Sequence, residues 1–387
     1  MIHTTKVKSN RKRSIAVALL AVVGILTLCS PDINTRSLRN QRDELKYKFS
    51  EEILKQAADF QKQGVTFNST IATAFFELPN SNHGIEEYLE WTKNSLCLKD
   101  AMVIFTNVPE KLAPLREHAK DRTIIVHMEM SHVEVGNDVH ITDEQWEHQN
   151  ELNNKGKNFN LYKVWAGKSW LVNQAIELNP FNSDVYHWMD IGIFRETDAF
   201  CGETVVRHPE IVPEDRMLLF MRRNLWAIDK PEDIVVKDEF ASTFITGGWI
   251  AGRPNVWPEF LRRFEETVAM YLFTGVSLTE DQALLETTCI RNEGLCGLIV
   301  KDNHVGYLDP SEQYEYCDNV EVCKEKAGWR TGMPGGFFAF FNSKYFFYHG
   351  GNFKLWDPST GIPTEDENFS LYHGFSKEET STKKHYM

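Results

Sequence analysis

The stretch Asp184-Val-Tyr-His-Trp-Met-Asp190-Ile-Gly192-Ile-Phe-Arg195 decides the fold class. Five apolar or aromatic residues run straight into a carboxylate, then into a glycine-bearing turn. Such a run fits a strand buried on both faces, as parallel sheets bury theirs. The carboxylate then emerges at the strand's carboxyl end, where open α/β sheets place their ligands. A bland reading competes with this one: Asp190 caps the following turn through backbone N–H groups.

Working outward, the same grammar repeats. Thr70–Phe76, Ala101–Thr106 and Thr123–His127 are short β-branched or aromatic runs, with helical stretches expected over Gly84–Leu96, Val108–Ala119 and Leu161–Leu178. The last of these stops at Asn179-Pro180, as a helix before proline should. Strands alternating with helices predict a nucleotide-binding type of α/β sheet covered on both faces. No G-x-G-x-x-G follows the first strand and no G-x-x-x-x-G-K-[ST] occurs, which argues against dinucleotide oxidoreductases and P-loop NTPases. G-x-S-x-G and H-E-x-x-H are absent too, leaving serine hydrolases and zincins without support.

The flanks are different. Five of the 42 Lys and Arg residues lie within the first thirteen positions, leaving 37 against 55 acids in the rest, which argues against nucleic acid as a partner. Directly after them, Ile15 to Cys29 is an uncharged run of membrane-targeting character. Its length falls between a cleavable signal core, about 7–15 residues, and a full span of about 20. The long basic leader and the lack of an A-x-A site favour an anchor. With Lys and Arg ahead of the run, the chain after Pro31 is expected in the lumen.

The expected organisation is a cytosolic basic tail (1–13), a transmembrane signal anchor (14–30), a helical stem (31–65), the α/β domain (66–360) and a polar tail (361–387). Of the six cysteines beyond Cys29, Cys289/Cys296 and Cys317/Cys323 are close enough in sequence to close short loops, with six buried thiols as the alternative. Asn68-Ser-Thr and Asn368-Phe-Ser are N-glycosylation acceptors if they are lumenal and exposed. The segment from Met128 to Asn153 reads as a solvated loop despite His132, His140 and His148, because their spacing suits no metal site.

Three further segments carry candidate chemistry. Ser242-Thr-Phe-Ile-Thr-Gly247-Gly248-Trp-Ile-Ala-Gly252 is an apolar strand with a glycine pair, which lets backbone approach a ligand or merely forms a bulge. Leu278-Thr-Glu280-Asp281-Gln282 puts two acids at a helix start, where they either complement the dipole, with Thr279 as cap, or act on a substrate. Phe346-Phe-Tyr-His349-Gly-Gly-Asn-Phe-Lys354-Leu-Trp356 sets a metal-ligating imidazole and a phosphate-binding cation among aromatics.

In this order the four pieces resemble GT-A glycosyltransferases: a strand ending in D-x-D, a glycine-bearing strand, a D-Q helix start and, in the glycogenin-like group, a late H-x-x-G-x-x-K-P-W. The chain resembles more closely the HtrL/YibB group, proposed to be glycosyltransferases, in Thr73-Ala-Phe-Phe, Tyr88-Leu-Glu-Trp91 and Trp165 through Arg195. Two departures stand out. Gly192 replaces the second acid of D-x-D, and the late motif is one residue shorter, with Leu355 where the proline would be.

The resemblance implies a GT-A-like (Rossmann-like) mixed sheet flanked by helices, a nucleotide-sugar donor, a glycan or glycoprotein acceptor, and a divalent cation, Mn²⁺ or Mg²⁺, on Asp190 and His349. It implies further that the base lies near Thr73 to Phe75, that Lys168 and Lys354 face donor phosphate or sugar, that Gly247 and Gly248 border the donor, and that Glu280 and Asp281 sit by the acceptor. A type II protein of the Golgi or ER membrane follows. The rival expectation is a noncatalytic lumenal module that binds glycan or protein, for which Gly192 is the main support.

Overall fold

The sequence folds into a mixed sheet because its apolar runs are too short for helices and are spaced by amphipathic segments long enough to cross over. The computed structural model describes residues 47–78, 85–153, 158–194, 201–204, 206, 209, 212–221, 245–292, 294–301, 353–357, 364–366 and 369–373. The basic tail, the expected anchor, most of the expected stem, Cys317, Cys323, His349 and Asn368 lie outside them. Among the described residues no helix is long and apolar enough to cross a membrane.

Strands β1 (Ser69–Phe75), β2 (Ala101–Thr106), β3 (Thr123–His127), β4 (Val185–Met189), β5 (Met217–Met221), β6 (Ile245–Gly252) and β7 (Cys296–Lys301) run in the order β3-β2-β1-β4-β6-β5-β7. The sheet continues through β8 (Phe353–Asp357), β10 (Phe369–His373) and β9 (Thr364–Asp366). Strands β3, β2, β1 and β4 are mutually parallel, and β6 then pairs antiparallel to both β4 and β5. The stretch 361–387, expected as a polar tail, thus contributes two strands.

The helices are α1 (Glu51–Lys62), α2 (Ile85–Leu96), the four-residue α3 (Pro109–Leu112), α4 (Asp143–Asn153), α5 (Phe159–Leu178), α6 (Trp257–Thr274) and α7 (Asp281–Arg291). Helix α5 begins where the Asn158 side chain accepts from the Asn160 N–H at 2.9 Å. It ends on Asn179, whose φ of 40° is a left-handed cap. It packs on β1 and β4 and is covered by α4, α6 and α7, so polar Lys163, Lys168, Asn173 and Gln174 are buried along it. On the opposite face Ile71, Phe75, Met102, Ile104, Val185, Met189 and Trp249 form an apolar core with Tyr88 and Leu89 of α2 against it.

Helix α1, in the stretch expected as a helical stem, belongs to the same compact unit as the sheet. Its Gln61 donates to the Asn179 carbonyl at 2.8 Å, and Phe60 lies 5.2 Å from Phe181. The segment 128–153 is not a solvated loop: Val133, Val135, Ile141 and Trp146 are buried, and α4 packs on α5.

Disulfides join Cys289 to Cys296, as their spacing allowed, and Cys97 to Cys201. The second ties the segment after β4 to the end of α2. There, Gly202 N–H donates to the Cys97 carbonyl, Lys99 N–H to that of Glu203, and Val206 N–H to the Asp100 carboxylate.

Candidate functional site

The chain moves outward from β1 to β2 to β3, then returns to place β4 on the other side of β1. The gap beyond the carboxyl ends of β1 and β4 is therefore the topological switch point, the usual ligand crevice of open α/β sheets. Asp190 follows β4 directly, so the topology delivers a carboxylate to that crevice. Its backbone is fixed by an N–H bond to the Gly248 carbonyl at 2.8 Å, and β6, running the other way, brings Gly247 and Gly248 beside it.

Behind Asp190 sits Lys168, from the buried flank of α5. Its Nζ lies 2.9 Å from Asp190 Oδ1, 2.5 Å from Asp281 Oδ2 and 2.8 Å from the Gly247 carbonyl. An ammonium has three protons to donate, and these three acceptors take them all. The indole of Trp188 donates to Asp190 Oδ1 at 2.8 Å and sits beneath the ammonium, 5.9 Å from ring centre to Nζ. Strand periodicity puts Trp188 and Asp190 on one face, a signal that sequence alone offered.

The carboxylates differ in access. The Asp281 side chain is 9% exposed and that of Asp190 is 39% exposed. Among the described residues no donor reaches Asp190 Oδ2, which leaves one oxygen of this part-exposed carboxylate open. Burial raises the Asp281 carboxyl above the ordinary range, against the pull of Lys168. Burial alone would lower the Lys168 ammonium, but Asp190 and Asp281 together hold it above the usual lysine value. With both carboxylates bonded to one ammonium, the ionic form is the one the geometry supports.

Gly247 has a steric reason: a Cβ there would lie 2.1 Å from Asp281 Oδ2. Asp281 opens helix α7, and Glu280 occupies the cap position without a side-chain capping bond; Thr279 bonds Ser277 instead, Oγ1 to Oγ at 2.7 Å.

Lys168, Asp190, Gly247, Gly248 and Asp281 therefore converge, with Glu280 next to Asp281 and largely buried. Thr73 and Phe75 underlie the crevice rather than line it. Thr73 is sealed from solvent and donates to the Met189 carbonyl at 2.7 Å, while Phe75 belongs to the apolar core. Lys354, expected at the donor, lies on β8, four strands along the sheet from β4 and paired with Val300 of β7, so its backbone is not part of this convergence.

As to metal, the described residues hold no group of three or more His, Cys, Asp or Glu that could take an ion. The open oxygen of Asp190 is a hard donor, suited to Mg²⁺ or Mn²⁺ as a single protein ligand.

A family model described as a bacterial protein of unknown function, HtrL/YibB, matches residues 67–304. The chain belongs to the HtrL/YibB family. The matched span takes in strands β1 to β7 and every converging residue of the site, whereas His349 and Lys354 lie beyond it. No curated protein matches the chain. The HtrL/YibB match thus confirms the family suggested by Trp165 through Arg195, and its description assigns no activity.

Proposed function

We propose that this HtrL/YibB protein is a glycosyltransferase that moves a sugar from a nucleotide-sugar donor to a hydroxyl of a glycan or glycoprotein. The observation that carries the reading is Asp190, presented by β4 at the switch point with one carboxylate oxygen open. A divalent cation held by that oxygen, with His349 as a further ligand, would supply the charge that steadies a leaving nucleoside diphosphate. The chain's own residues do the rest. Lys168 and Trp188 fix the Asp190 rotamer, the Gly247-Gly248 backbone borders the donor, and Glu280 orients the acceptor hydroxyl.

A secretory setting is part of the proposal, as a type II protein of the Golgi or ER. Two disulfides suit an oxidising lumen, and Asn68 of the glycosylation triplet is exposed. A noncatalytic lumenal binding module is the second reading. It is favoured by Gly192 at the position of the second acid and by the three protein acceptors that take up the protons of the Lys168 ammonium.

The test is turnover and binding of a panel of nucleotide sugars by the purified chain, with and without Mn²⁺, beside Asp190→Ala. Metal-dependent consumption of one donor, lost in Asp190→Ala, is the expected result. No binding to any donor would move the assignment to the second reading.

A further inference from the structure

The site holds three charges that belong together: Asp190, Lys168 and Asp281. A lone lysine behind Asp190 would cancel the carboxylate it positions, leaving a neutral pair with little pull on a cation. Here the lysine has a second counter-ion. Asp281 lies closer to Nζ than Asp190 does, 2.5 Å against 2.9 Å, and is buried where solvent cannot screen it. Its position is secured from two sides, by its place at the start of α7 and by the missing Cβ of Gly247. The trio carries one net negative charge, and Asp190, the more exposed of its two carboxylates, keeps Oδ2 without a donor among the described residues.

We infer that Asp281 is a charge-balancing residue: it satisfies the Lys168 ammonium so that Lys168 can clamp Asp190 in place without neutralising it. Both are positioning residues, and Asp281, expected beside the acceptor, acts through Lys168 on Asp190 instead. This inference rests on the reading of Asp190 as a cation-binding group.

Charge balance makes a prediction that packing does not. Asp281→Asn leaves the ammonium with Asp190 as its sole ionic partner and the cluster neutral. Removing the lysine as well, in Lys168→Met with Asp281→Asn, returns the cluster to one negative charge on Asp190.

The measurement is Mn²⁺ binding by the purified full chain, followed by the electron paramagnetic resonance signal of free Mn²⁺ with no donor present. Circular dichroism establishes that each variant is folded. Asp281→Asn is expected to weaken binding about tenfold or more, as loss of one charge in a shielded site should. The double variant is expected back within about threefold of wild type, a coupling that only interacting residues show. Lys168→Gln with Asp281→Asn serves as a second form of the double variant should the methionine form fail to fold.

Wild-type binding that Asp281→Asn leaves unchanged, or a folded double variant no better than Asp281→Asn, would overturn the charge balance while leaving the cation reading standing. Failure of the wild type to bind Mn²⁺ at all would overturn both.

Discussion

Gly247 stands so close to Asp281 that a single added methyl group would overlap the carboxylate, 2.1 Å from Cβ to Oδ2. The glycine is there to admit the acid. Gly247→Ala should therefore force Asp281 or strand β6 to shift and cost about 1–3 kcal/mol, the usual penalty of overpacking. A denaturant melt would measure it. Gly64 and Gly275, with nothing within 4 Å of an added Cβ, are poor comparators because both have positive φ.

Arg116 is a buried guanidinium with no carboxylate bonded to it among the described residues. It donates to the carbonyls of Leu96, Leu98 and Asp100 and to the Thr123 hydroxyl, gathering the end of α2, the entry to β2 and the start of β3. Burial lowers it to about 10, so it stays charged at neutral pH. Arg116→Ala would strand three carbonyls and should cost about 3 kcal/mol or more. Arg116→Lys should recover only part of this, because a point charge cannot replace a fork. Thermal melts of the two variants would separate these outcomes.

His187 points into the apolar face of β4, 5.4 Å from the Trp249 ring, and burial lowers its imidazole to about 3. In the unfolded chain the same ring titrates near 6.5. Between these values the unfolded chain takes up a proton that the fold refuses. Stability contributed by the neutral ring is thus complete above about pH 6.5 and is lost as pH falls towards 3, on the order of 1 kcal/mol per pH unit. His187→Phe should flatten that acid limb. Urea melts at pH 7, 6, 5 and 4 would show it, and an unchanged slope would refute it.

The two disulfides should differ in worth. Cys97–Cys201 spans 104 residues and Cys289–Cys296 spans seven. On the loop-entropy account the long one stabilises by about 2 kcal/mol more. Cys97→Ala with Cys201→Ala should lower the melting temperature more than the equivalent change at 289 and 296.

Much of the sheet was legible in the chain. Ala101–Thr106 and Thr123–His127 were bounded correctly because β-branched and aromatic residues cluster there between charged or turn-forming neighbours. Asp190 could be found for the same reason, as the first polar residue after an apolar strand. Its partners could not. Lys168 and Asp281 are 113 residues apart, and no local pattern joins an ammonium inside one helix to a carboxylate at the start of another. Helix α1 looked like a stem because an amphipathic stripe is the same whether it meets a sheet or another chain. The 128–153 segment hid Val133, Val135, Ile141 and Trp146 among charges at irregular intervals, with no period to betray burial. The bridge from Cys97 to Cys201 was missed because spacing favours near neighbours.

The span between Lys168 and Asp281 bears on how the molecule assembles. Helix α5 and strands β1 to β4 can pair early, but the ammonium they bury has its full set of acceptors only after β6 and α7 have been added. Contacts of such separation form late, once loop closure has been met. The cluster is complete only once α7 is in place, and a chain ending before residue 281 would hold the Lys168 ammonium with two of its three acceptors and no second counter-ion to balance it.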